Sequence, residues 1–372
     1  MRGLDGQLAR RDKLFSKMLD QFVCVRLVQC YGLDRDLFQF DTDLTMAIFF
    51  MNADGTVYGR YGTRAGRDDA AFVHPEGLRK AMQAALGLHQ SISLLGDQLR
   101  RKLADKQEND TPWSSYEQIP GVKRRVAPAA QDSHKCYHCH WVQGSEILAR
   151  RRAGKKIDDR HLWTYPMLDV LGAKLDPRSK ATVQEVVEAS PAGRAGLRRG
   201  DEIAELNGQP ILSIADVQWV LHRSPDKGTV SALVRRADRD AVEQLTIELP
   251  AGWRRHGDIS WRAIQWMLRD EALGFHMEAL AAKQKRHHHL PADRTVYRVT
   301  RLAPGWYKQA NHAPQAAGLR KGDLIVAVND RPPPADMSRF LAWIAQETRP
   351  GDMVSLEVVR RGHRKTIRFR MQ

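Results

Sequence analysis

The residues of this sequence best equipped for chemistry are Cys136-Tyr137-His138-Cys139-His140. Two thiols at i and i+3 fall on one side of a helical turn. There they can form thioethers to the vinyl groups of a haem, while the adjacent His140 ligates the iron. Met167 or His134 could supply the sixth ligand. The same residues also suit zinc: Cys136 and Cys139 with one or two of His134, His138 and His140. A redox disulfide between Cys136 and Cys139 and a surface pair with no ligand are the other readings, and all four stand open.

The remaining cysteines are Cys24 and Cys30, and four are too few for a disulfide scaffold. Cys24 lies in Phe22-Val23-Cys24-Val25-Arg26, a run that reads as a buried strand. There a Cys is ordinarily an inert small hydrophobe. Cys30 follows the end of that run, and one extended strand cannot bring it back to Cys24. His287-His288-His289 sits in a basic loop before Pro291 and reads as solvated.

No Gly-x-Ser-x-Gly segment, His-Glu-x-x-His helix or glycine-rich phosphate loop occurs. The part before residue 92 is too short for a double β-barrel protease. The expectation is a protein that binds and positions, with serine-protease function set aside.

Four segments must position these residues. Residues 1–92 read as an α/β unit, with a helix over 11–21, strands over 22–28 and 46–51, and an Asn52-Ala53-Asp54-Gly55 turn into a strand over 56–61. An amphipathic helix over 75–89 follows, with Leu78, Met82, Ala85 and Leu86 on one face. Residues 93–160, interrupted by Pro112, Pro120 and Pro128, read as a linker carrying the Cys-x-x-Cys-His cluster. From residue 161 a repeat emerges: Ala195-Gly196-Leu197-Arg198-Arg199-Gly200-Asp201 matches Ala317-Gly318-Leu319-Arg320-Lys321-Gly322-Asp323, and the match runs on to Asn207-Gly208 and Asn329-Asp330. Two copies of one motif imply two copies of one domain, at 161–253 and 254–372.

In the first copy Ser213 and Asp216 form a capping box before a helix with Val217, Val220 and Leu221 on its apolar face. Phe340, Leu341 and Ile344 repeat that face. Each copy closes on paired strands, 230–235 with 244–249 and 354–360 with 365–370. Trp253, Trp261 and Trp266 suggest a packed connector between the copies.

The chain carries a net charge of +15 over 372 residues. Its basic runs, at 150–156, 283–289 and 360–365, coincide with no nucleic-acid motif, so no nucleic-acid partner is expected. No apolar run reaches the ~18 residues of a membrane span. Residues 1–13 contain no apolar core of a secretory signal.

The repeat resembles the PDZ domain in its circularly permuted bacterial form. That resemblance implies a groove between a strand and the capped helix. An extended peptide or protein C-terminus would add to the strand edge there, with its carboxylate in a nest of backbone N–H groups. The carboxylate loops would be Val170-Leu171-Gly172-Ala173, with Val217 and Leu221, and Leu273-Gly274-Phe275, with Phe340 and Ile344. The plainer alternative makes these core residues of a closed packing module.

Within residues 1–92 the strand, the crossover, Ala47-Ile48-Phe49-Phe50, the Asp-Gly turn, the next strand and the closing helix resemble the second half of a thioredoxin fold. Phe38-Gln39-Phe40-Asp41-Thr42-Asp43-Leu44-Thr45 is similar to a bacterial family that joins thioredoxin-like and PDZ domains, some members of which carry selenocysteine. The resemblance implies a redox role for Cys24 as the alternative to an inert one, although no Cys-x-x-Cys precedes the first helix and Thr45 stands where thioredoxins carry a cis-proline.

The fold expected is therefore multi-domain α+β: an incomplete thioredoxin-like fragment, a linker and two permuted PDZ domains. The expected function is a PDZ-mediated peptide-binding scaffold. The alternative is a redox protein, a haem-c carrier or thiol oxidoreductase, addressed to partners by its PDZ domains. Because haem c is attached outside the cytoplasm and this PDZ subtype resembles that of periplasmic proteases, an extracytoplasmic location is expected.

Overall fold

A computed structural model of the chain describes residues 17–27, 32–64, 66, 73–95, 111–122 and 139–372. In chain order the strands are β1 (Ile48–Met51), β2 (Val57–Tyr61), β3 (Ala173–Leu175), β4 (Val183–Val186), β5 (Glu202–Leu206), β6 (Gln209–Pro210), β7 (Gly228–Arg235), β8 (Val242–Leu249), β9 (Phe275–Ala279), β10 (Tyr297–Leu302), β11 (Leu324–Val328), β12 (Met353–Arg360) and β13 (His363–Arg370). The principal helices are α1 (Pro75–Leu95), α2 (Trp141–Arg152), α3 (Ile214–Arg223), α4 (Ile264–Met267) and α5 (Met337–Ala342). Helix α4 runs on into a π-helical turn, Leu268–Leu273, and α5 into another, Trp343–Glu347.

The chain divides into two compact units. The first gathers the described residues up to Gln118, Cys139 and Trp163–Gly257; the second gathers those from Ile119, His140–Leu162 and Asp258–Gln372.

In the first unit β1 and β2 form the hairpin that the Asn52–Gly55 turn calls for. The Asp54 carboxylate accepts from Thr56 N at 2.8 Å, and Gly55 takes φ +87°. Leu78, Ala81, Met82 and Ala85 of α1 bury against Phe50, Tyr58 and Tyr61.

The run at 22–28 departs from expectation. Residues 23–27 form no regular secondary structure, and Val23 and Val25 are 94% and 77% exposed. Cys24 is exposed, not buried. β-branched residues favour a strand only where a neighbour completes the ladder, and no strand pairs with this run among the described residues. The helix expected over 11–21 lies mostly outside the described residues, as does Cys30.

The repeat is visible atom by atom. Gly200 (φ +89°) and Gly322 (φ +92°) turn the chain in the left-handed region, where a side chain would be strained. The Asp201 carboxylate accepts from Arg198 N at 2.8 Å, and Asp323 accepts from Arg320 N at 2.9 Å. An arginine answers each acid: the buried Arg236 lies 2.7 Å from Asp201, and the half-buried Arg360 lies 2.6 Å from Asp323. Each guanidinium also donates to the carbonyl of the motif's first glycine, Gly196 or Gly318. Asn207 and Asn329 each accept, at 2.9 Å, from the backbone N–H of the serine on the neighbouring strand, Ser231 and Ser355.

In the second unit the strands form one antiparallel sheet in the order β13-β12-β11-β10-β9. The first splits them into β3-β4 and β6-β5-β7-β8. Part of the stretch read as a linker is helical: α2 belongs to the second unit, and its Arg151 reaches the end of the α5 helix.

Candidate functional site

The site begins at the glycine loops. A helical turn, Leu168–Leu171, ends on Gly172 at φ +90°, and the π-helical turn before β9 ends on Gly274 at φ +93°. Neither loop can carry a side chain. A Cβ on Gly172 would lie 2.1 Å from Ser190 Cβ, and one on Gly274 would lie 2.2 Å from the Asn311 carbonyl oxygen. Each loop turns directly into the strand whose outer edge is the candidate peptide edge.

The direction of that edge follows from the register. Val183 uses its backbone groups on Asp201 and Gly200, so it cannot pair through them with Leu175 opposite. Leu175 therefore turns its N–H and C=O away from β4. Val299 spends its groups on Asp323 and Gly322 in the same way, which turns those of Met277 away from β10. Among the described residues no strand lies beyond β3 or β9 in its sheet.

Helix α3 forms the other wall. Ser213 accepts from Ala215 N, and Asp216 returns the bond to Ser213 N, completing the expected capping box. Leu171, Ala173, Val217 and Leu221 are each 0% exposed and sit in one apolar core. Leu273, Phe275, Phe340 and Ile344 are likewise fully buried in the second copy. The pocket residues named from the sequence are thus gathered around each loop, covered by the chain itself.

The C-terminal end of each helix meets a buried arginine. Arg254 donates to the carbonyls of His222 and Ser224, at 3.1 and 2.6 Å. Arg151 donates to those of Ile344 and Thr348, the latter at 2.7 Å, and burial pulls its pKa down to about 10. These cations satisfy carbonyls that a helix end leaves without partners.

The outward side of α3 is where sequence reasoning stopped short. Asp216, fully buried, accepts from Arg60 N at 2.8 Å and from Leu212 N at 3.0 Å, and burial pushes its carboxyl up to about 7. The Arg60 guanidinium lies 4.2 Å from the centre of the Trp219 ring. Trp219 and Arg223 both donate to the Gln39 side-chain oxygen, at 2.9 and 2.8 Å. Tyr165, in the left-handed region at φ +47°, stacks on His222 at 4.3 Å, and its carbonyl accepts from Gln218. The β1–β2 hairpin is thus part of the same unit as α3 and buttresses it.

The Cys-x-x-Cys-His cluster falls mostly beyond view. His134, Cys136 and His138 lie outside the described residues. Cys139 is half-buried with its thiol 3.9 Å from the Leu44 carbonyl oxygen, and His140 lies just before α2. Among the described residues no three His, Cys, Asp or Glu side chains are arranged to hold a metal. Of the three tryptophans expected to pack, Trp253 and Trp261 are buried, but Trp266 is 53% exposed, its ring 5.2 Å from that of His276.

Comparison with known proteins gives this frame its class. Residues 182–236 match the family model described as "PDZ domain". That stretch runs from just before β4 through α3 to the end of β7. Relatives described as "Probable periplasmic serine endoprotease DegP-like" include one from Ectopseudomonas mendocina, 29% identical over 207 residues. Another, from Pseudomonas savastanoi pv. phaseolicola, is 26% identical over 198 residues. Each match covers 53% of this chain and under two fifths of the relative, 39% and 38%. Among solved structures, "HtrA-type protease AlgW with decapeptide" is 17% identical with a TM-score of 0.23, covering 38% of this chain and 48% of that one. The same protease with a tripeptide is 14% identical with a TM-score of 0.24, covering 38% and 52%.

The chain therefore carries a PDZ domain, a module that takes peptides and protein C-termini. Its relatives are named as periplasmic, in agreement with the extracytoplasmic location expected, and no described helix is long and apolar enough to cross a membrane. One expectation is corrected. Serine-protease function was set aside for want of a Gly-x-Ser-x-Gly segment, yet the relatives are serine endoproteases. That motif marks only one of several folds that carry a serine nucleophile, so its lack could not exclude the others.

Proposed function

We propose that the chain recognises protein C-termini and extended peptides through the PDZ domain of its first unit, and that this recognition serves serine-protease function of the kind named for its relatives. The observation that carries the reading is the frame around Gly172. A left-handed glycine loop opens directly onto β3, whose Leu175 edge faces away from its sheet, opposite the capped helix α3. Backbone groups along β3 would pair with the added strand, and the Gly172 loop would take the terminal carboxylate.

The pocket residues are covered in the free chain, so a peptide side chain gains Leu171, Val217 and Leu221 only when α3 parts from β3. The hairpin braced on α3 through Asp216 sets how easily that happens. We read the second copy as a further PDZ-type domain, on the support of its matching Asp323–Arg360 pair and glycine loop. The β1–β2–α1 order supports a thioredoxin-like origin for the N-terminal part, used here as a brace.

Selection from a display library of decapeptides with free C-termini tests the proposal. Peptides bound by the full chain should lose at least about tenfold in affinity when their terminal carboxylate is amidated, about 1.4 kcal/mol. Labelling of the chain by a serine-directed fluorophosphonate would place the nucleophile in the chain itself. Lack of labelling would make it a recognition partner of a separate protease.

A further inference from the structure

The two glycine loops lead into strands with the same outward edge, but among the described residues a side chain stops only one of them. Arg269, in the turn before Gly274, is buried, and its guanidinium donates to the Met277 carbonyl at 2.6 Å. The register has already turned that carbonyl away from β10, so the bond lies on the outer edge of β9, where an added strand would seek it. Gln265 holds the same guanidinium from one helical turn back, at 3.1 Å. The residue at the same distance before the first loop glycine is Met167, which has no N–H to give, and no described side chain donates to Leu175.

We propose that Arg269 caps the strand-addition edge of the second copy, so that the first copy alone takes peptide. The inference rests on the peptide-binding reading above. A strand joining β9 would have to displace a charge-assisted bond, roughly twice as strong as a neutral hydrogen bond. Blocking an edge with a charged side chain is a general means of keeping an exposed strand from pairing. The cap therefore both directs peptides to the first unit and protects the second from association through β9.

The test uses the full chain and the variants R269A and R269K. Calorimetry with a peptide selected on the wild-type chain should give one site per chain for wild type and two for R269A. Independently of any peptide, amide hydrogen exchange at Glu278, which pairs with Arg298 of β10, should quicken at least about tenfold in R269A as the uncapped edge strand frays, with exchange at Leu356 and Val358 unchanged as the check on folding. R269K, which keeps the charge without the fork, should fall between. The proposal is overturned if peptide protects Phe275–Ala279 in the wild-type chain, or if R269A changes neither the stoichiometry nor the exchange. Failure to select any peptide, with exchange at Glu278 quickened in R269A, would keep β9 capped and overturn the assignment of peptide to the first copy, together with the peptide-binding reading.

Discussion

Asp216 and Arg60 stand 156 residues apart in the chain, yet the Asp216 carboxylate accepts the Arg60 backbone N–H at 2.8 Å with its own exposure at zero. The same carboxylate closes the capping box of α3. One side chain thus starts the helix and docks the hairpin on it. Replacement by alanine should cost about 2–4 kcal/mol, from the lost cap and the backbone N–H groups left without an acceptor. Urea denaturation of D216A checks this, and D216N, which keeps an acceptor oxygen, should avoid much of the loss.

The same residue makes a prediction about pH. Burial pushes Asp216 up to about 7, above the value of an unfolded chain. The folded unit therefore holds a proton that the unfolded chain releases between about pH 4 and pH 7. Stability from this group is full below that window and is lost as pH rises through it. Urea midpoints of the wild type should fall relative to D216N between about pH 5 and about pH 8.

His276 makes the opposite prediction for the second unit. Burial, aided by Arg269 and Arg301, holds its pKa below the ordinary value, against the pull of Asp270 at 2.9 Å. Its contribution is therefore present above about pH 6.5 and lost as pH falls through the depressed value. The imidazole shift of His276, assigned by its loss in H276A, should titrate below those of the exposed histidines.

The glycines separate conformational strain from lack of space. Gly172 and Gly318 both take positive φ, at +90° and +92°, but a Cβ would clash with Ser190 at the first and meet nothing within 4 Å at the second. Gly318→Ala should cost about 1 kcal/mol and Gly172→Ala at least about 2 kcal/mol. Thermal melts of the two variants check the order.

The repeat was legible in the sequence because its signals are local: a Gly-Asp turn, an Asn after a strand, a serine with an acid three residues on. The glycine loops and capped helix could be placed on those grounds. Arg236 and Arg360 could not, because each meets its aspartate only after the chain has returned along another strand. Their matched places at the ends of equivalent strands were the one available signal. Asp216 read as a cap alone, since nothing local to it points to Arg60. The run at 22–28 misled for the converse reason: its composition suits a strand, but composition supplies no neighbour to pair with.

The account stands most directly on whether peptide adds to β3. Amide hydrogen exchange of the full chain, with and without a selected free-carboxylate decapeptide, measures this. Protection at Gly172–Leu175 and in α3, lost with the amidated peptide, is the result expected. Binding that leaves those residues unchanged, or that tolerates the amide equally, would contradict it.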